Sequence, residues 1–97
     1  MITRIVKMTF KEAKINDFKE FTGTIEQRIR NFPGCVRLDF YQDIHKRNVF
    51  FTYSRWKSEE DLNEYRSSDF FKATWTTART WFADKAEAWS LTEPERA

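Results

Sequence analysis

The sequence predicts an α+β domain whose elements run strand, helix, strand, strand, helix, strand. Three observations carry this. An apolar stripe at helical spacing runs from Phe18 to Phe32 and ends on Pro33-Gly34; a ring-rich stretch without Gly or Pro runs from Val49 to Trp56; and Ser58-Glu59-Glu60-Asp61 stands directly behind it. The first is an amphipathic helix with its stop signal, the second a strand with bulk on both faces, and the third a helix start.

Taken in order, Ile2, Arg4, Val6, Met8 and Phe10 alternate with Thr3, Ile5, Lys7 and Thr9, the period of a first strand. Lys11 to Lys14 connects to a helix that Asn16 or Asp17 can cap, on which Phe18, Phe21, Ile25, Ile29 and Phe32 repeat at three and four. Glu26 and Arg30 stand four apart on its outer side, acid first, a pairing that adds about 0.3 kcal/mol. Proline cannot extend the helix and glycine accepts a left-handed turn, so Pro33-Gly34 closes it. Val36, Leu38 and Phe40 then alternate against Cys35, Arg37, Asp39 and Tyr41 in a second strand ending near Asp43. The short polar loop Ile44 to Asn48 makes the second and third strands a hairpin.

In the third strand, alternation places Phe50, Thr52, Ser54 and Trp56 on one face and Val49, Phe51, Tyr53 and Arg55 on the other. Ser58 offers a hydroxyl to the free N–H groups of a first helical turn, and the three carboxylates behind it complement the helix dipole. That accounts for them without a metal or acid/base role. Leu62 and Tyr65 form the apolar side. Arg66-Ser67-Ser68-Asp69 interrupts, Ser68 can cap again, and Phe71, Trp75, Ala78 and Phe82 recur along a second segment. Ala83 to Lys85 turns into a last strand, Ala86 to Leu91, and residues 93–97 read as a frayed tail. This order is the ferredoxin-like βαββαβ motif, a four-stranded antiparallel sheet with its helices on one face.

At 97 residues the chain reads as one domain, residues 1–97, whose core is marginal alone. Its second sheet face carries aromatics that a second copy packed face to face would bury, so a homodimer around a shared barrel is expected. Aromatics are 18% of residues while leucine occurs only at 38, 62 and 91. Stiff rings with little aliphatic filler leave gaps, and a ring-lined cavity is expected. Seventeen basic residues against fifteen acidic, with no block of five like charges, call for neither a nucleic-acid nor a membrane partner. The single Cys35 excludes an intrachain disulfide and fits a reducing, cytoplasmic setting. No apolar run approaches the ~20 residues of a membrane span.

The helix exit Phe32-Pro33-Gly34-Cys35, the join from Tyr53 to Leu62 (YSRWKSEEDL) and the run from Arg66 to Thr74 (RSSDFFKAT) resemble the antibiotic biosynthesis monooxygenase-like family of small dimeric α+β barrels. The resemblance implies a fold of that kind. It also implies an activity drawn from cofactor-free oxygenation of electron-rich phenols to quinones, haem degradation, or no reaction at all. Trp56 at the strand end and Ser68 at the helix break match the family. Ser54 stands where relatives often have a glutamate, and Tyr65 and Phe70 where they often have histidines. In the haem-degrading branch the iron-ligating histidine falls at Trp75 and the strand-one asparagine near Val6. Tryptophan cannot ligate iron, so haem degradation is not expected.

Cofactor-free oxygenation asks for a dry pocket, a flat ring held in place and a polar group that deprotonates or hydrogen-bonds a phenol. Tyr65 and Trp75 are the candidate catalytic contacts, and Phe18, Tyr53, Trp56, Phe71 and Phe82 the candidate walls, with no cofactor or metal expected. The plainer alternative makes all of these core residues with satisfied O–H and N–H groups. His45, beside Lys46 and Arg47, reads as a solvated loop residue, and Cys35 has no histidine in sequence near it to activate its thiol. Two other classes stay open. A dimeric domain could bind a small molecule without turning it over. An RNA-recognition module shares the element order and faintly echoes in Arg47 to Tyr53, but the motif's glycines and its first-strand ring are absent.

Overall fold

The computed structural model describes residues 1–95; residues 96 and 97, part of the expected tail, lie outside them. Seven elements follow one another: β1 (Ile2–Thr9), α1 (Ile15–Arg30), β2 (Cys35–Gln42), β3 (Val49–Trp56), α2 (Glu59–Arg66), α3 (Asp69–Arg79) and β4 (Glu87–Leu91). The strands form one antiparallel sheet in the order β2-β3-β1-β4. With a helix after β1 and a broken helix after β3, this is the ferredoxin-like arrangement.

The broken helix forms where the hydroxyls stand. Ser58 accepts the Asp61 N–H at 3.1 Å and donates back to the Asp61 carboxylate at 3.1 Å. Ser68 accepts the Phe71 N–H at 3.1 Å and so restarts the chain as α3. The start of α1 differs from expectation. Neither Asn16 nor Asp17 caps it; a 3-10 turn, Glu12–Lys14, runs into the helix and meets its first donors with backbone carbonyls, Lys14 N–H to Lys11 at 2.8 Å among them. The α3 segment also ends sooner than the apolar period suggests. It stops at Arg79, and Phe82 instead pairs with Phe10 in an isolated antiparallel bridge. Backbone bonds from Lys11 to Trp81 and from Ala83 to Thr9 hold that bridge at 2.9 and 2.8 Å. A strand-like tie to β1 therefore outcompetes another helical turn.

Gly34 adopts φ +85° between α1 and β2, and any Cβ there would overlap the Asp61 side chain. Its carbonyl accepts the Lys57 N–H at 2.9 Å, so the helix exit, the end of β3 and the first turn of α2 meet at one glycine. Two contiguous apolar clusters fill the space between helices and sheet. One gathers Ile25, Ile29, Leu38, Trp56, Leu62 and Tyr65, the other Met8, Phe10, Phe18 and Phe50. Trp56 and Phe10 are wholly buried; a buried ring of this kind contributes about 2–3 kcal/mol.

The register sets which side chains look toward the helices. Val6 stands opposite Thr52 on one side and Ala88 on the other, Arg4 opposite Ser54 and Ser90, and Leu38 opposite Ser54. The opposite face carries Ile5, Phe51, Tyr53 and Trp89 with Arg37, Arg55 and Lys7, and no element among the described residues covers it. Trp89 is 42% exposed, and every residue of β4 is exposed.

Candidate functional site

Between the helices and the sheet lies a cavity of about 280 Å³. Its cause is legible in side-chain size. Under the helices the sheet presents Thr52, Ser54 and Ala88, with Ala86 just before β4, and α3 presents Thr74 and Ala78 across from them. Small groups facing small groups leave a gap, and the surrounding rings are too stiff to close it.

A relay of touching rings fixes the wall. Tyr65 stacks on Trp56 with centroids 4.9 Å apart and meets Phe71 edge-on at 5.1 Å; Phe71 stacks on Trp75 at 6.0 Å. Phe32 meets the other edge of Tyr65 at 5.0 Å. The Trp56 indole N–H donates to the buried Ser54 hydroxyl at 3.0 Å, which orients the ring that Tyr65 lies on. Each aromatic contact adds about 0.5–1.5 kcal/mol beyond burial, so the Tyr65 hydroxyl has a fixed address.

The structure brings together Phe18, Trp56, Tyr65, Phe71 and Trp75 around the cavity. Two of the residues expected there stand elsewhere. Tyr53 is on the uncovered sheet face, opposite Ile5, with the Arg37 guanidinium 5.7 Å from its ring centre. Alternation forbids it from sharing a face with Trp56 three positions on. Phe82 sits behind the wall, edge-on to Trp75 at 5.5 Å and to Phe10 at 5.3 Å, because α3 ends before reaching it. It supports Trp75 without reaching the cavity.

Burial, with a smaller contribution from nearby Cys35, pushes the Tyr65 phenol well above its usual range. The hydroxyl therefore stays protonated at neutral pH, and no hydrogen bond ties it to another of the described residues. It is an uncommitted donor on a residue of the cavity wall. Cys35 is also pushed up by burial and remains a thiol, and His45 is exposed in the β2–β3 loop, where its backbone N–H donates to the Asp43 carboxylate at 2.8 Å.

Sequence reasoning overlooked Arg4 and Arg66, which both line the cavity. Arg4 occupies an inward position of β1 between Ile2 and Val6, and a guanidinium on a strand's apolar face was the available signal. Its head donates to the Ser90 hydroxyl at 2.8 Å. The described cavity wall contains no carboxylate and no imidazole.

Comparison with known proteins agrees with this architecture. A solved antibiotic biosynthesis monooxygenase superposes with a TM-score of 0.91 at 14% identity, covering 98% of this chain and 100% of its own. A conserved protein from Methanosarcina mazei Go1 gives 0.90 at 20% identity, covering 97% and 94%. Rv0793 from Mycobacterium tuberculosis gives 0.87 at 14% identity, covering 99% and 97%. Identities this low speak for the fold alone. Among curated proteins there is no match. The sequence model of the antibiotic biosynthesis monooxygenases does match, over residues 1–76, which takes in β1 through most of α3 and the whole relay of rings from Phe32 to Trp75. By that measure the chain belongs to the antibiotic biosynthesis monooxygenase family.

Proposed function

We propose that the protein is a cofactor-independent monooxygenase acting on a small, electron-rich phenol, and that it works as a homodimer. The observation that carries this is a ring-lined cavity of about 280 Å³ with Tyr65, a protonated phenol without a hydrogen-bond partner among the described residues, in its wall, near the lower end of small-molecule pockets at roughly 300 Å³. That volume suits one or two fused rings.

Oxidation of a phenol to a quinone by O₂ balances without an outside reductant. The substrate supplies the electrons, one oxygen atom enters the ring and the other leaves as water. With no carboxylate or imidazole in the described wall, the protein's part is to hold the ring flat between aromatic surfaces and exclude water. Tyr65 donates a hydrogen bond to the oxygen on which charge develops. Trp75, stacked on Phe71 and braced by Phe82, supplies the second polar edge.

The homodimer rests on the uncovered sheet face. Phe51, Tyr53, Trp89 and Leu91 share it, Leu91 is 46% exposed, and the Arg55 Nε is buried there without a hydrogen-bond partner among the described residues. A second copy would cover the rings and offer acceptors to that donor.

Oxygen uptake with a panel of naphthols and anthrones tests the activity, comparing the natural protein with Tyr65→Phe and Trp75→Phe. Uptake of one O₂ per phenol, lowered in both variants, is expected. If no phenol drives uptake, the activity is ruled out. The binding-only reading, which the lack of a base in the described wall favours, then takes its place.

A further inference from the structure

Two guanidinium groups share the cavity wall. Arg4 reaches it from β1, and Arg66 from the last turn of α2. Neither lies within ion-pair distance of a carboxylate among the described residues, although four ion pairs form elsewhere among them. Arg4 uses one of its five N–H donors on the neutral Ser90 hydroxyl. The α2 dipole accounts for a cation in that helix's last turn. It does not account for that cation standing on a cavity wall beside a second one.

The two charges also feel each other. Partial burial, and then the charge of Arg66, pull the Arg4 guanidinium below its usual value. Like charges gathered beside an apolar chamber raise the free energy of the empty protein, and an anion between them relieves both the repulsion and the unused donors. Planar guanidinium forks suit a planar carboxylate, which can accept two parallel N–H bonds from one of them.

The mouth of the cavity is at this end. Arg66 and Ala88 are exposed, whereas Trp56, Leu62 and Phe18 close the depths. A ligand entering ring-first would lay its aromatic system on Trp56, Tyr65 and Phe71 and leave its outer edge between the arginines.

We infer that Arg4 and Arg66 form a carboxylate-binding site at the cavity mouth, so that the preferred ligand is an aromatic acid, its ring in the chamber and its carboxylate between the two guanidinium groups. This deepens the cavity reading above and rests on it.

Calorimetric titration of the dimeric or monomeric full chain with 1-naphthoate and with 1-naphthol separates the two ideas. The expected result is naphthoate binding at least tenfold tighter than naphthol, weakening as salt is raised. Arg66→Gln and Arg4→Gln should each cost naphthoate about tenfold and cost naphthol several-fold less. Arg66 is exposed, so its variant keeps the fold, and Arg4→Lys, which retains the charge, should recover part of the loss. Equal binding of both probes, or a loss that falls on both alike, overturns the carboxylate site while the cavity survives as a ligand site. Binding of neither probe overturns the site and the cavity reading together.

Discussion

The ring of Tyr65 lies against that of Trp56, 4.9 Å between centroids and 24° between planes, and Trp56 is itself pinned by its N–H to Ser54. A hydroxyl is thus positioned by a stack whose own orientation is fixed one residue deeper. Tyr65→Phe keeps the ring and removes only the donor. Thermal unfolding of the variant should match the parent within about 1 kcal/mol, while phenol turnover falls about a hundredfold, the scale of losing one oriented donor. Unchanged turnover would remove Tyr65 from the chemistry.

The same burial makes alkaline stability diagnostic. The folded phenol ionises above its ordinary value of 10.0. Between the two values the unfolded chain has lost a proton that the folded chain keeps. Stability from this group is therefore complete below about pH 10 and declines above it, by about 1.4 kcal/mol per pH unit. Urea unfolding between pH 8 and 11 should show that decline in the parent and a shallower one in Tyr65→Phe.

Ser54→Ala leaves the Trp56 N–H buried without a partner. A loss of about 1–2 kcal/mol is expected in denaturant titration. The buried Trp56→Ala should cost about 3–5 kcal/mol, since the chamber cannot collapse onto so large a void.

Trp89→Glu probes the uncovered sheet face without touching the core, because the side chain is half exposed within one subunit. Light scattering should report a dimer for the parent and a shift to monomer for the variant, with far-UV dichroism unchanged. A monomeric parent would leave the homodimer without support.

Much of this architecture could be read before any coordinates. Ser58, Ser68 and Pro33-Gly34 act through their nearest neighbours, so local chemistry placed the helix boundaries they control. Period-two alternation in β3 likewise separated Phe50 and Trp56 from Phe51 and Tyr53. That rule already barred Tyr53 from the chamber that holds Trp56, and grouping them overrode it for the sake of gathering rings. Other features depend on distant partners. Phe82 leaves the α3 stripe because Phe10, 72 positions earlier, offers it a bridge. Arg4 and Arg66 come to share one cavity wall only once the helices close over the sheet, and nothing within a few residues of either announces the other. The cavity owes more to the small residues of β4 and the middle of β3 than to the stiffness of rings, a balance visible only when the two layers are superposed.

Ala86 and Ala88 line the chamber from the C-terminal part of the chain, beyond the stretch matched by the family model and, for Ala88, on an edge strand paired with β1. The calibre of the hollow is thus adjustable from a peripheral ribbon. Enlarging either methyl group would narrow the admissible guest while leaving the stacked aromatic floor and the helix joins as they are. Selectivity by bulk and the machinery that would act on the guest are accordingly housed in separable parts of one short polypeptide.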